Sequence, residues 1–272
     1  MLLLTLLTGT LVGFSLGLTG GGGAIFAVPL LVYVLGVPAR EAVGVSLLTV
    51  GATSFVGFVQ RAIRDLVEFP TGLLFAVAGM IGAPIGSMLA DQIAEPILLG
   101  SFALLMILIA GRMWFKSGDP AANLPIIHDD SAGPTCRRDP EGRLRLTSLC
   151  ALLLGVVGLG SGILSGMFGV GGGFIIVPAL ITFSCMGMQR AIGTSLLVIT
   201  LVSISGTASH LIAGKELSLQ TAGLFGVGSM VGLFLGGSIA NRLKGPTLQR
   251  VFAAAILLVA IYVIFTSFSR NA

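Results

Sequence analysis

A chain of 272 residues with 55% hydrophobic residues, only 10% charged residues and a mean hydropathy of +1.04 lies far from soluble globular proteins and reads as a polytopic membrane protein. The formal charge of +4 does not signal nucleic acid, because nearly every Lys and Arg stands between apolar segments rather than in a patch. Cys136, Cys150 and Cys185 form an odd, scattered set without metal spacing and are read as incidental.

Five apolar segments, at about 2–18, 24–36, 42–59, 71–90 and 97–115, precede a polar centre, and five more follow at about 146–167, 174–186, 191–212, 221–240 and 248–268. The first could pass for a signal peptide, but it lacks a basic start and its counterpart at 146–164 is internal, so it is kept in the fold. The expected domains are a membrane repeat at 1–116, a polar linker at 117–145 and a second membrane repeat at 146–272. The linker is rich in proline and charge without helical periodicity, as an exposed connector would be.

The halves are related by duplication. Gly20-Gly21-Gly22-Gly23-Ala24-Ile25-Phe26-Ala27-Val28-Pro29 returns 149 positions later as Gly169-Val170-Gly171-Gly172-Gly173-Phe174-Ile175-Ile176-Val177-Pro178. Aligned without a gap from Gly20 to Gly57, the halves agree at 13 of 38 positions, among them Pro29/Pro178, Gly44/Gly193, Ser46/Ser195, Ser54/Ser203 and Gly57/Gly206. The match extends to Gly13/Gly162 and Gly17/Gly166, and with a one-residue shift to Gly82/Gly232 and Gly86/Gly236.

A spanning helix needs about 20 residues. The second and seventh segments, which follow the glycine runs, fall short and are read as half-helices starting near mid-membrane, with the glycines breaking the chain at that depth. Pro29 and Pro178 add a kink and are candidates for gating. If each half crosses an odd number of times, one face collects twelve of the fifteen Lys and Arg, and the other keeps only Arg40, Lys215 and Arg270. If each short segment instead re-enters on its own side, each half crosses four times and the division weakens to ten against five, so the odd count is preferred; it predicts a cytoplasmic linker, both termini outside, and inverted repeats in a cell (inner) membrane. The fold class expected is therefore an all-α polytopic membrane protein of two inverted repeats, each with one broken half-helix.

Inverted repeats with matched discontinuous helices are the pattern of secondary transporters that bind substrate at the midplane. The half-helix N-termini would present open N–H groups and positive dipole ends, which suit an anion. Gly20, Gly21, Gly22, Gly23, Gly169, Gly171, Gly172 and Gly173 are the expected substrate cradle, and the hydroxyls of Ser46, Thr194 and Ser195 are the next candidate donors. For those hydroxyls the alternative is a bond back to their own helix carbonyls. For the glycine runs it is plain helix contact.

The paired pattern Gly-Gly-Gly-Gly-x4-Val-Pro and Gly-Val-Gly-Gly-Gly-x3-Val-Pro, each followed by Ala-x-Gly-x-Ser-Leu-Leu, resembles the TauE/SafE family of sulfite exporter-like permeases. The resemblance covers nearly the whole chain outside the linker. It implies a permease for sulfite, organosulfonates or other small carboxylate and sulfonate anions. It does not choose among them.

His210 and Arg61 occupy matched positions and are candidates for drawing an anion to opposite mouths, for gating or for proton coupling; interfacial snorkelling is the plainer role. Arg40 and Arg190 read as interfacial anchors. No Asp, Glu, Lys or Arg falls mid-span, so a carboxylate proton relay is not expected, and Asp65, Glu68, Asp91 and Glu95 read as solvated loop residues. The expected partners are a small anionic substrate and the lipid bilayer, with ion coupling and a homo-oligomer left open, no nucleic acid and no cofactor. A passive anion channel is the nearest alternative. An intramembrane enzyme would need a nucleophile with a base, paired carboxylates or metal ligands, and the sequence offers none at workable spacing.

Overall fold

The computed structural model describes residues 2–116, 137–138, 144–145, 148–184, 186–215, 217–240 and 257. The first half comprises α1 (Leu2–Thr19), a broken segment, α3 (Ala39–Ala62), α4 (Phe69–Gln92) and α5 (Glu95–Lys116). The second comprises α6 (Ser148–Phe168), α7 (Gly173–Ser184), α8 (Met188–Ile212) and α9 (Leu219–Ala240). The tenth apolar segment and most of the linker lie outside the described residues. Within the linker, β1 (Arg137–Arg138) and β2 (Leu144–Arg145) pair antiparallel.

Six of the described helices, α1, α3, α4, α6, α8 and α9, are long and apolar enough to cross a membrane. Burial sorts them. In their most apolar stretches α8 is 78% buried and α3 67%, against 39–44% for the other four, so α3 and α8 form the centre and the rest surround them. The outer helices expose Leu3, Leu7, Val77, Ile81, Leu152, Val156, Val227 and Val231, as lipid-facing surfaces do.

Helix ends follow local chemistry. Pro38 precedes α3, and α4 carries Pro70 in its first turn, where the missing N–H costs nothing. Beyond α8, Gly214 at φ +68° closes the helix while Lys215 N–H returns to the His210 carbonyl. The broken segment is a 3-10 turn at Gly22–Phe26, three α-helical residues, α2 (Ala27–Pro29), and a π turn at Leu30–Val34. It begins two residues earlier than hydropathy indicates and is interrupted at the proline; its counterpart α7 is a continuous short helix.

The outer helices pair across the halves. A Cβ placed on Gly9, Gly13 or Gly17 of α1 would lie 2.3, 1.8 or 2.4 Å from the carbonyl oxygens of Phe225, Ser229 or Leu233 on α9. The rising numbers on both sides show that α1 and α9 run parallel. In the same way Gly158, Gly162 and Gly166 of α6 meet the backbone of Phe75, Gly79 and Ala83 on α4, again parallel. Backbones approach this closely only where side chains are absent, the small-xxx-small packing of membrane helices. Between α3 and α8 the order reverses: Gly44 faces His210, Gly51 faces Ser203 and Gly57 faces Leu196, so the central pair is antiparallel.

Cys150, fully buried near the start of α6, is disulfide-bonded. The reading of all three cysteines as incidental fails for this one, because spacing along the chain says nothing about separation in space.

Candidate functional site

Both glycine runs fold as loops that return from a helix end into the centre of the protein. Gly20 (φ +70°) and Gly21 (φ +148°) in the first, and Gly169, Gly171 and Gly172 (φ +70°, +67° and +67°) in the second, hold backbone conformations that L side chains rarely adopt. The loops touch: a Cβ on Gly21 would lie 2.8 Å from the Gly173 Cα, and one on Gly173 would lie 2.6 Å from the Gly21 Cα. Contacts to Val50 and Ile199 fix the depth. Those residues sit midway along α3 and α8, helices of roughly 36 Å at 1.5 Å per residue, so the meeting point lies near the middle of the membrane-crossing core.

Some loop N–H groups are already bonded. Gly20 donates to the Leu16 carbonyl (2.7 Å), Gly23 to Thr19 Oγ1 (3.1 Å) and Gly169 to the Ser165 carbonyl (2.8 Å). The N–H groups of Gly171, Gly172 and Gly173 have no acceptor among the described residues. They lead into the N-terminus of α7, where the first turn of a helix has no internal acceptor for its donors.

Ser46 and Ser195 are fully buried and reach across the halves. Ser46 Oγ donates to the Gly169 carbonyl at 2.6 Å, and Ser195 Oγ bonds the Gly20 carbonyl and, at 2.8 Å, the carbonyl of Ile192 in its own helix. Each matched serine thus pins the first glycine of the opposite loop, with its proton committed to a carbonyl. Thr194 turns elsewhere, accepting the Glu68 N–H at 2.9 Å ahead of α4. Pro29 is buried in α2, whereas Pro178 is exposed on α7.

A second matched pair was passed over as site candidates. Ser54 and Ser203 are buried, and neither Oγ has a hydrogen-bond partner among the described residues. Ser203 Oγ lies 3.5 Å from the position a Gly171 Cβ would take. Its identity with Ser54 under the 149-residue repeat was the available signal. Buried hydroxyls are nearly always paired, so the Ser203 orphan beside a loop with unbonded N–H groups, and its match Ser54 on α3, stand out among the buried polar groups.

The chain matches the family model described as "Sulfite exporter TauE/SafE" over residues 5–263. It belongs to the TauE/SafE family. A probable membrane transporter protein of Xylella fastidiosa (strain Temecula1) is 35% identical to this TauE/SafE chain, covering 98% of it and 97% of the relative. The probable membrane transporter protein YunE of Bacillus subtilis is 27% identical over 97% and 96% of the two chains. MJ0441 of Methanocaldococcus jannaschii, also described as a probable membrane transporter protein, is 28% identical over 79% and 74%. No solved structure matches. The TauE/SafE chain is accordingly a multi-pass membrane transporter.

The remaining candidates lie toward the two ends of the central helix pair. Arg61, at the end of α3, donates to Gln189 Oε1 at 3.0 Å. His210, at the end of α8, is 2% exposed and packs its ring over Gly44. Asp91, read from sequence as a solvated loop residue, closes α4 and forms an ion pair with Lys215 at 2.6 Å. Among the described residues no three His, Cys, Asp or Glu side chains gather as metal ligands.

Proposed function

We propose that the protein is a secondary permease that moves small sulfur-containing anions, sulfite or organosulfonates, outward across the inner membrane. In this reading the two glycine loops and the hydroxyls of Ser54 and Ser203 cradle one anion near mid-membrane. The observation that carries it is the meeting of the loops at Gly21 and Gly173, with unbonded N–H groups on Gly171, Gly172 and Gly173. An anion taken out of water costs several kcal/mol or more unless donors surround it. Backbone N–H groups and hydroxyls supply charge-assisted bonds without a fixed positive charge, a grip that also allows release.

The same reading takes the halves as inverted repeats. The central pair α3 and α8 is antiparallel, and the parallel pairs α1 with α9 and α6 with α4 exchange when the halves are exchanged. Charge asymmetry in the sequence favours a cytoplasmic linker and outer termini.

The test is flux in proteoliposomes loaded with radiolabelled sulfite or sulfoacetate, with wild type beside Gly172→Leu. A side chain at Gly172 meets the Ser161 carbonyl at 2.9 Å and cannot easily take φ +67°. Wild type is expected to carry at least one anion saturably, and a variant that still elutes as folded protein is expected to carry neither. Wild type that moves neither anion removes the substrate assignment, and full flux in the folded variant removes the site. Rapid single-channel currents would replace the carrier with a pore.

A further inference from the structure

At the end of the central pair where α3 begins and α8 finishes, a shallow recess of about 10 Å³, room for about one water molecule, opens to the surface. Its lining includes Arg40, Ser87, Asp91, Met167, His210 and Lys215. Lys215 Nζ is 2.6 Å from Asp91 Oδ1 and 3.5 Å from Ser87 Oγ, while Arg40 Nη2 lies 3.5 Å from the Asp91 carbonyl. Lys215 therefore pairs with the Asp91 carboxylate, while Arg40 reaches the main-chain carbonyl of the same residue. His210 adds a polar group that nothing satisfies: it is 2% exposed, and its Nε2 has no hydrogen-bond partner among the described residues. A buried polar atom without a partner is costly, and His210 is one of the residues that line the recess. Gly44 leaves room for the ring, since a Cβ there would come within 2.5 Å of His210 Cδ2 and Nε2.

The recess leads inward. Val43, on its wall, has its Cα 2.7 Å from where a Gly169 Cβ would stand, so one residue separates the recess from the second glycine loop.

We propose that Arg40, His210 and Lys215 form a second binding site, for a small oxyanion, at this mouth of the pathway, and that Asp91 closes it by occupying the anion's place on Lys215. The assignment rests on the reading of the chain as an anion permease. With Asp91 displaced, the recess offers two cations and an imidazole to an anion on its way to or from the loops. The closing contact is weak enough to exchange, because the Lys215 and Asp91 side chains are 20% and 37% exposed and water screens the pair. Under the one-residue shift that pairs Gly82 with Gly232, Asp91 corresponds in sequence to Asn241, and the other mouth instead joins Arg61 to the neutral Gln189.

The experiment is calorimetric titration of the full-length protein with sulfite, sulfate and methanesulfonate, in nanodiscs of zwitterionic lipid so that no anionic headgroup competes. Asp91→Asn is expected to bind at least one of these anions about three- to fivefold more tightly than wild type, the ceiling set by a partly exposed ion pair. Adding Lys215→Gln should cancel the gain, and Lys215→Gln alone should weaken binding. Folded Asp91→Asn with no gain for any of the three anions, or a gain that survives Lys215→Gln, overturns the proposal. Should Asp91→Asn not fold, unchanged binding by Lys215→Gln overturns it instead. Tighter binding without sulfite or sulfonate flux in wild type would leave this site standing while the substrate reading falls. Normal flux without the gain would do the reverse.

Discussion

Replacing Ser46 with alanine removes one oxygen atom and tests whether the glycine loops must be held in place. The hydroxyl is fully buried and donates at 2.6 Å to the Gly169 carbonyl, which has no other donor among the described residues. Without it, the carbonyl faces neither water nor a partner. Orphaning a buried acceptor costs about 1–3 kcal/mol, and that amount weighs against the loop conformation in which Gly171 to Gly173 present their N–H groups. At about 1.4 kcal/mol per factor of ten, transport should fall roughly 5- to 100-fold while the protein still inserts and elutes as a monodisperse species. The assay is the initial rate of labelled anion uptake, normalised to folded protein, for Ser46→Ala, Ser195→Ala and the double variant. Because both serines act on loops that touch, the double variant should depart from the sum of the singles. A folded Ser46→Ala protein working within twofold of wild type would refute the role given to this hydrogen bond.

Two further outcomes follow from the packing. Gly13→Leu and Gly162→Leu should prevent recovery of folded protein in detergent, since their Cβ atoms alone would stand 1.8 and 2.2 Å from carbonyl oxygens of the partner helices, whereas Gly237→Ala, with nothing within 4 Å, should leave yield and melting temperature unchanged. Gly44→Ala should push the His210 ring aside and reduce anion flux several-fold with modest loss of stability; pairing it with His210→Ala, which vacates the space, should restore yield but not flux.

Hydropathy carried the positions of the described helices and, with the glycine runs, pointed to the broken segments, because both are properties of residues near one another in the chain. They could not carry the pairing of helices. Gly13, Gly17, Gly162 and Gly166 stood out as matched glycines, but a small residue fits against any backbone, and their partners on α9 and α4 are set by the whole assembly. The serines show the same limit. Ser46 and Ser195 are candidate donors to an anion, with a bond to their own helix as the alternative; Ser195 makes that bond to Ile192, but both also reach acceptors 123 and 175 residues away in sequence. Ser54 and Ser203 differ from them by nothing visible in the alignment; only burial without a partner sets them apart. Asp91 read as solvated because it follows an apolar segment, and its pairing with Lys215 became visible only once α4 and α8 were side by side.

The exchange of outer helices between halves bears on how the chain is built. During synthesis α1 is made well before α9, yet the backbone it packs against belongs to α9, more than two hundred residues later. Until then its row of glycines faces lipid or a temporary neighbour. Contacts so distant in sequence form late and slowly, so the first half cannot reach its final packing as an independent unit, and α1 docks against α9 only after the second half has been made.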